Sequence, residues 1–282
     1  MSKNKGDLDT RMKEYEYVTR NYLTRRTPVI IRLDGKAFHT FTRGFKKPFD
    51  EVMVDTMQKT MWYLCNEISG CVLGYTQSDE ITLVLTDYKK LTTEAWFNNN
   101  IQKICSVSAS MATYAFNTFF KQNVDRLITD ENERKKYFTN RNITTNKITS
   151  QYTPELSTYK YGFFDSRCFN IPKEEVNNCL LWRQQDATRN SIEALAQSLY
   201  SAKELEGITT KKLQDKMFTE KGVNWNDLPT HLKRGACCIQ TQIEMNNPYK
   251  EGEKVIRNIW TIDYEIPIFS QDSEYINSRI IF

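Results

Sequence analysis

The clearest pattern along the chain is an apolar run that stops at a carboxylate and is followed by a helical period. Residues 29–33 are rich in β-branched side chains and end at Asp34-Gly35, as expected of a buried strand. Between residues 50 and 69, apolar side chains recur at spacings of three and four, which predicts an amphipathic helix. A strand and a helix are therefore expected first.

A hairpin follows over residues 71–85, with its turn at 77–80. Ile81, Leu83 and Leu85 occupy every second position, so one set of side chains is expected on a core face. The elements predicted beyond it are a long helix over 94–121, a polar loop or linker over 125–154, a strand over 161–171, a helical region to residue 200, and strands near 235–244 and 254–264.

The order strand, helix, strand, strand, helix, strand is the split βαβ pattern of ferredoxin-like sheets, which include the palm of many polymerases and cyclases. We predict an α+β fold: a ferredoxin-like, polymerase-type palm with an antiparallel sheet, plus a mixed helical and strand C-terminal region. The palm-like catalytic domain is expected over 1–138 and the C-terminal domain over 139–282, with the strand at about 161–171 joining the palm sheet.

This topology brings two acidic turns together, because the first and third strands pair antiparallel at its centre. Asp34 ends the first strand and Asp79-Glu80 begins the third. Carboxylates at adjacent strand ends suit divalent cations that hold a nucleoside triphosphate. Since Asp79 and Glu80 point to opposite faces of an ideal strand, Asp34 and Asp79 form the stronger predicted ligand pair. Asp-Gly and Ser-Asp are also common turn dipeptides, so a structural role remains an alternative.

The composition narrows the chemistry to oxygen ligands. The chain has 282 residues, 39% hydrophobic and 26% charged, and a net charge of +4 that permits a polyanionic partner without requiring one. Seven cysteines without a Cys-x-x-Cys pair predict reduced, intracellular thiols. With only His39 and His231 available, a multi-histidine zinc site is disfavoured and Mg²⁺ is favoured. A charged N-terminus and no long apolar stretch predict a cytoplasmic protein that spans no membrane.

Five motifs occur in order and span most of the chain. They are R-L-D-G-x-x-F-H-x-F at 32–41, K-P-x-D at 47–50, G-Y-x-Q-S-D-E at 74–80, F-D-x-R at 164–167 and W-R-Q-x-D at 182–186. Together they resemble the tRNA-His guanylyltransferase family of 3′-to-5′ nucleotide-adding enzymes. The resemblance implies two Mg²⁺ ions with Asp34, Gly35 and Asp79 as metal ligands, and Asp34, Asp79 and Glu80 as catalytic acids.

The resemblance also implies a nucleotide site for GTP and other nucleoside triphosphates. The residues that it assigns to this site are Asp34, Gly35, Lys36, Ala37, Phe38, His39, Lys47, Asp50, Ser78, Asp79 and Lys103. Asn99 and Asn100 depart from the family, which often has basic residues there, and this leaves the triphosphate contacts near Lys103 open.

The family's reaction implies tRNA as the partner, acted on at its 5′ end. A 5′-monophosphate is activated by ATP or GTP, and the 3′-hydroxyl of GTP then attacks it. Arg183, Asp186 and Asn190 lie at i, i+3 and i+7, so they share a face of a helix. The resemblance favours these three residues and Arg167 as RNA contacts, and it implies a homotetramer.

One departure points to a branch of the family. Eukaryotic members typically continue with H-I-N-N-L-Y, whereas residues 188–193 read T-R-N-S-I-E, with only Asn190 in common. This resembles the branch that restores truncated tRNA 5′ ends. We expect template-directed 3′-to-5′ addition for tRNA repair, with guanylate addition to tRNA-His as a further activity.

Two other classes stay open. A conventional palm polymerase or nucleotide cyclase shares the strand order and the carboxylates. A non-catalytic RNA-binding module also uses such a sheet, with surface aromatics such as Tyr161 and Phe163, although no clear R/K-G-F-x-F-V-x-F signature occurs.

Overall fold

A computed structural model describes residues 4–132, 161–249 and 252–281. Its strands are β1 (Val29–Gly35), β2 (Cys71–Gln77), β3 (Glu80–Leu85), β4 (Phe164–Asn170), β5 (Ala236–Asn246) and β6 (Lys254–Asp263). Its helices are α1 (Asn4–Val18), α2 (Phe38–Phe41), α3 (Glu51–Glu67), α4 (Ile101–Thr129), α5 (Lys173–Leu199), α6 (Ala202–Leu205), α7 (Thr210–Lys221), α8 (Thr230–Arg234) and α9 (Glu274–Ile280), with 3₁₀ turns at Trp96–Asn99 and Trp225–Asp227.

The described strands form one antiparallel sheet in the order β4-β1-β3-β2-β5-β6. The order of its first four strands is that of the split βαβ pattern, so the predicted α+β class and the central pairing of β1 with β3 are confirmed. The hairpin of β5 and β6 extends the same sheet beyond β2. The predicted domain boundary at 138/139 lies outside the described residues.

Both faces of the central strands are buried, which explains why β1 reads as a continuous apolar run. Ile31 and Leu33 lie on the face covered by α3 and α4, where they share a core with Phe116. Ile30 lies on the opposite face, where it packs with Val176 at the start of α5. The helix α9 packs on that second face as well, so the layers are helices, sheet and helices, with the polar ends of β1 and β3 at one rim.

The long helix α4 begins and ends later than its sequence pattern predicts. Positive φ angles of 48°, 53° and 60° at Phe97, Asn98 and Asn99 interrupt the chain before it, so the predicted start at residue 94 is wrong. The helix begins after Asn100, whose side chain accepts a hydrogen bond from the Lys103 N–H at 2.9 Å. Residues 125–129 are helical and not a loop, and 133–154 lie outside the described residues.

The region between α5 and β5 is less irregular than its polarity predicts. It contains α6, α7 and α8, and side chains of α7 and the following 3₁₀ turn, including Met217 and Trp225, form a small core against α5. Strand β4 begins at Phe164 instead of residue 161, and α5, β5 and β6 lie within two residues of their predicted bounds. All seven cysteines fall in the described part of the chain and are free. Within that part, no helix has the length and apolar character needed to cross a membrane.

Candidate active site

The two acidic turns lie side by side at the rim of the sheet. Asp34, near the end of β1, is opposite Glu80 of β3 on one side and Asp165 of β4 on the other. The Gly35 N–H donates to the Asp79 carbonyl at 3.1 Å, which joins the turn after β1 to the turn before β3. The main chain therefore holds the two predicted ligand positions together.

The side chains of Asp79 and Glu80 lie in different environments, as expected for neighbouring residues at the start of a strand. Ser78 has a left-handed φ of 50°, so the hairpin turns sharply and Asp79 lines a cavity beside Gly35. Glu80 instead faces α5, where its carboxylate accepts from Arg32 at 3.2 Å and from Arg183 at 3.0 Å. Glu80 is thus neutralised by protein cations, and Asp79 is not.

Burial and neighbouring charge make both aspartates poor places for an isolated negative charge. Burial raises the pKa of Asp34, and the carboxylates of Glu80 and Asp165 raise it further, while Arg167 and Arg32 oppose them. Burial also raises the pKa of Asp79, although hydrogen bonds from the Ser78 side chain and the backbone lower it in part. A bound divalent cation would offset this electrostatic cost of ionising the two carboxyl groups.

The donor set fits a cation that takes the rest of its ligands from a substrate. Among residues 4–132, 161–249 and 252–281, no group of three or more His, Cys, Asp or Glu side chains could hold a metal ion. Mg²⁺ is commonly bound by one or two carboxylates, with waters and phosphate oxygens completing its shell. Asp34, Asp79 and the Gly35 carbonyl match that pattern.

A cavity of about 480 Å³ opens beside the acidic turns. The turn at Ser78-Asp79, the end of β2 and the segment 35–50 form part of its wall, and α3, α5 and α8 contribute the other side, including His231. The predicted nucleotide or RNA residues that line it are Gly35, Ala37, Phe38, His39, Lys47, Asp50, Ser78, Asp79 and Asn190. Other predicted residues lie outside its wall, namely Asp34, Lys36, Glu80, Lys103, Arg167, Arg183 and Asp186.

The segment that forms the near wall is held by packing and by a helix cap. The Phe38 ring lies against Gly35, where a Cβ atom would approach its Cδ2 to 2.4 Å, so a side chain at Gly35 would displace the ring. Asp50 is buried and caps α3, since its carboxylate accepts from the N–H groups of Val52 at 3.0 Å and Met53 at 3.2 Å. The same carboxylate accepts from the Lys46 N–H at 2.8 Å. The wall is therefore ordered by the protein itself.

The residues predicted near a triphosphate on α4 have structural partners. Lys103 is exposed, with its Nζ 6.0 Å from the centre of the Phe97 ring. Asn99 is buried and donates to the Thr24 carbonyl at 3.3 Å, while Asn100 caps α4. The asparagines that replace basic residues thus stabilise the start of the helix.

The predicted RNA contacts on α5 form a connected row. Asp186 lies 3.6 Å from Arg183 and accepts from the Asn190 amide at 3.4 Å, and it also pairs with Arg189. The Arg183 side chain is only 7% exposed, and its Nε has no hydrogen-bond partner among the described residues. Arg167 is exposed on β4 and pairs with Asp165 at 2.8 Å.

Four residues that complete this rim were not among the predicted site residues. Arg32 and Gln77 bind Glu80, Trp182 stacks with arginines, and His231 lines the cavity. Arg32, Gln77 and Trp182 stand inside the motifs quoted above, so the motifs held that signal. His231 shows no pattern, because only folding brings α8 to the cavity.

Comparison with known proteins places this geometry in a family. The profile of the Thg1 family, described as tRNAHis guanylyltransferase, matches residues 9–172. A bacterial tRNA(His) guanylyltransferase (Thg1)-like protein in complex with ATP is 40% identical and has a TM-score of 0.76, covering 98% of this chain and 100% of that one. The GTP complex of a bacterial Thg1-like protein is 38% identical with a TM-score of 0.74 and the same coverage. A probable tRNA(His) guanylyltransferase of Dictyostelium discoideum is 26% identical over 83% of this chain and 85% of its own length.

Proposed function

Because the chain belongs to the Thg1 family of tRNAHis guanylyltransferases and is a nucleotidyltransferase, we propose that it extends the 5′ end of tRNA by template-directed 3′-to-5′ nucleotide addition. The observation that carries this proposal is the junction of Asp34 and Asp79 at paired strand ends, tied by the Gly35 N–H beside a cavity. In that setting the sheet acts as a polymerase-type palm.

We place the incoming GTP in the 480 Å³ cavity, with its triphosphate directed toward Gly35 and Asp79. Pockets of roughly 300–1,000 Å³ accommodate ligands of this size. His39 and Lys47 lie on the wall, where an imidazole suits a base or sugar and an ammonium suits a phosphate. The ATP and GTP complexes of bacterial Thg1-like proteins support nucleotide binding at this fold.

The proposed reaction has two steps at one site. First, a 5′-phosphate oxygen of tRNA attacks the α-phosphorus of ATP, or of GTP, and pyrophosphate leaves. Then the 3′-hydroxyl of GTP attacks the activated 5′-phosphorus, and the nucleoside monophosphate leaves. An end that already carries a triphosphate needs no activation.

Asp34, Asp79 and the Gly35 carbonyl would hold two Mg²⁺ ions. When bound, these ions would lower the pKa of the attacking hydroxyl and neutralise phosphate charge. Glu80 acts one layer away, because its salt bridges orient Arg32 and Arg183 and keep them at the edge of the site. In this proposal Asp34 and Asp79 bind the metal ions, and Glu80 positions the two arginines.

Repair of truncated tRNA is the proposed cellular role, with guanylate addition to tRNA-His as a second activity. The support is the segment 188–193, which lacks most of the H-I-N-N-L-Y sequence of enzymes dedicated to tRNA-His. In the fold, its Asn190 lies at the cavity wall and bonds to Asp186. This position suits a contact with the end of the RNA.

We also propose that the protein forms a homotetramer. Exposed apolar side chains on the β5–β6 hairpin support an association surface, with Ile256 70% exposed and Met245 42% exposed. Sedimentation equilibrium at several concentrations measures the assembly. A mass near four times 33.2 kDa is expected, and a 33.2 kDa species at all concentrations would contradict it.

The direct test uses purified protein, Mg²⁺, α-labelled GTP, ATP and a tRNA that lacks its first nucleotide. Label is expected at the 5′ end, as read by sequencing of the product ends. Asp34→Asn and Asp79→Asn are each expected to slow addition by roughly 100-fold or more, since each removes charge that acts on the transition state. Asp215→Asn, an exposed acid on α7, is the matched control and is expected to retain the parent rate.

Two outcomes would reject the proposal. Label at the 3′ end or in a free cyclic nucleotide would identify a conventional palm polymerase or cyclase. Unimpaired tRNA binding by both aspartate variants, together with no addition by the parent, would identify a binding module.

A further inference from the structure

Trp182 is a large aromatic side chain that the fold leaves half open beside the acidic turns. It lies on α5 and is 51% exposed. Two guanidinium groups lie against its ring, with the Arg183 Cζ 3.5 Å and the Arg32 Cζ 5.0 Å from the ring centroid. Stacked cations hold an indole in place without covering all of it. A fixed and partly open aromatic surface results.

The support under this ring is built into the core. Arg183 is 7% exposed, and Arg32 is 14% exposed, in their side chains. Both bind the carboxylate of Glu80, which also accepts from the Gln77 amide at 3.2 Å. The ring is therefore held by side chains that are themselves buried and paired.

The same contacts place the ring on the side of the sheet where Glu80 pairs with Asp34. Glu80 is the cross-strand partner of Asp34, and Arg32 precedes Asp34 by two residues on the same face of β1. Two residues of a strand span about 7 Å. Trp182 is thus separated by the Arg32 guanidinium from Glu80, which is the cross-strand neighbour of Asp34.

The surroundings of the ring carry exposed positive side chains. Arg167 is the cross-strand partner of Arg32 on β4 and is 55% exposed, and Arg189 lies two turns after Trp182 on α5 and is 59% exposed. Each pairs with one local carboxylate. An aromatic face for a base, flanked by arginines for the backbone, is the combination that proteins use for unpaired RNA ends.

We propose that Trp182 is a stacking platform for the nucleobase at the 5′ end of the RNA substrate. This inference rests on the proposed function and assigns a positioning surface to it. Stacking there holds the terminal base parallel to the ring and against its face, so that its 5′-phosphate lies toward Asp34 and Asp79. An incoming GTP in the cavity does not need the ring.

The test separates an aromatic face from simple bulk. Trp182→Phe keeps a ring, whereas Trp182→Leu keeps apolar volume without one. With 5′-triphosphorylated truncated tRNA, Trp182→Leu is expected to raise the KM for tRNA about tenfold, as loss of one base stack predicts, with the KM for GTP unchanged. Trp182→Phe is expected to stay within about threefold of the parent. Phe218→Ala removes a 61% exposed ring on α7 and is the matched control.

A spectroscopic reading tests stacking without catalysis. 2-Aminopurine is placed at the first nucleotide of the RNA, or at an internal loop position as the reference. The parent is expected to quench the fluorescence of the terminal probe but not that of the internal probe. Trp182→Leu is expected to abolish the quenching of the terminal probe. Equal quenching by the parent and Trp182→Leu, or an unchanged KM for tRNA, would overturn the inference.

Failure of the inference differs from failure of the proposed function. If the parent adds nucleotides and Trp182→Leu behaves like it, only the platform is wrong. If the parent quenches the terminal probe but adds no nucleotide, the platform stands as an RNA contact and the catalytic proposal is wrong. If Trp182→Leu and Trp182→Phe weaken GTP and tRNA binding equally, the ring serves only to pack the arginines and the inference is wrong.

Discussion

Arg183 donates to both carboxylate oxygens of Glu80, at 3.0 and 3.4 Å, although the two residues are 103 positions apart. This contact joins α5 to the start of β3. It also explains why Glu80 differs from its neighbour Asp79, since a carboxylate held by two guanidinium groups is already compensated. We therefore expect Glu80 to act as a positioning residue, with an effect on stability as well as on rate.

The Glu80–Arg183 pair is expected to be strongly coupled. Glu80→Gln and Arg183→Met each remove one charged partner from a residue that keeps a second one, Arg32 for Glu80 and Asp186 for Arg183, which is expected to cost roughly 1.5–3 kcal/mol in unfolding free energy. The double variant is expected to lose less than the sum, by about 1 kcal/mol or more. Urea unfolding of the four proteins measures this coupling.

The exposed Arg167–Asp165 pair provides the matched cycle. Its side chains are 55% and 58% exposed, and its N–O distance is 2.8 Å. Arg167→Met with Asp165→Asn is expected to give a coupling below about 1 kcal/mol, because water screens the pair. Equal couplings in the two cycles would show that burial does not strengthen the Glu80 contact.

Gly35→Ala is expected to disturb the cavity wall through Phe38. The added methyl would meet the ring at 2.4 Å, so the ring must move away from its partners Phe41 and Phe116. Overpacking of this kind costs about 1–3 kcal/mol. We expect a lower unfolding free energy and weaker GTP binding, measured by urea unfolding and calorimetric titration.

A compensating change makes the Gly35 prediction specific. Phe38→Leu combined with Gly35→Ala frees space at the same point, and it is expected to recover part of the lost stability. Strictly additive losses in the double variant would show that the ring is not the obstacle.

Local patterns predicted the frame of the site because each relevant strand carries its own signal. The apolar run of β1 ends at Asp34, and the two-residue period of β3 begins after the Ser78 turn, so the hairpin and the meeting of the turns followed from sequence. The helix predicted over residues 94–100 is wrong, because three successive residues there have positive φ angles although the apolar spacing favours a helix.

Long-range contacts lay beyond that reasoning. Nothing in the spacing of Glu80 and Arg183 indicates that they touch, since their meeting depends on how α5 packs across the sheet. His231 reaches the cavity by the same route, through the packing of α8 on α5. Sequence periodicity identifies elements, but the closure of a site depends on their assembly.

Asp50 is expected to act on stability through its cap. Asp50→Ala removes the acceptor for two N–H groups of α3 and for the Lys46 N–H, and it is expected to cost about 1–2 kcal/mol. Asp50→Asn keeps an oxygen acceptor for the two N–H groups of α3 but places its amide NH2 opposite the Lys46 N–H, so it is expected to lose less stability than Asp50→Ala. Thermal unfolding gives the comparison.

Nucleotide titration of the two Asp50 variants distinguishes the cap from a direct contact. Asp50→Asn is expected to bind GTP more tightly than Asp50→Ala does, because the cap of α3 is retained. A stable Asp50→Asn protein with GTP affinity as low as that of Asp50→Ala would instead indicate that the carboxylate touches the nucleotide.

His231 is expected to make the protein sensitive to mild acid. Burial lowers the pKa of His231, and the charge of Glu265 opposes this only in part. As pH falls below about 6.5, the imidazole of His231 is protonated in the unfolded chain before it is protonated in the folded protein. The contribution of neutral His231 to the unfolding free energy is therefore present above that pH and is lost below it. His231→Asn removes this contribution.

Urea unfolding at about pH 7.5 and about pH 5.5 measures the effect of His231 on either side of the imidazole range. The parent is expected to lose more unfolding free energy than His231→Asn over this interval. His39→Asn, which changes an exposed histidine on α2, is the control. A His231→Asn protein with the full pH dependence of the parent would contradict the assignment.

The register between β1 and β3 determines both which side chains enter the hydrophobic core and which two acids lie side by side. Ile31 lies opposite Leu83 in the core, and Asp34 lies opposite Glu80 at the rim. A slip by one residue would send Ile31 to the α5 face and Asp34 toward the aromatic rings under α4, because side chains alternate along a strand. The penalty for burying a charge there excludes the misaligned sheet. A register shift that moves Asp34 away from Glu80 would therefore also destabilise the fold. Folded molecules are expected to have both acids in place.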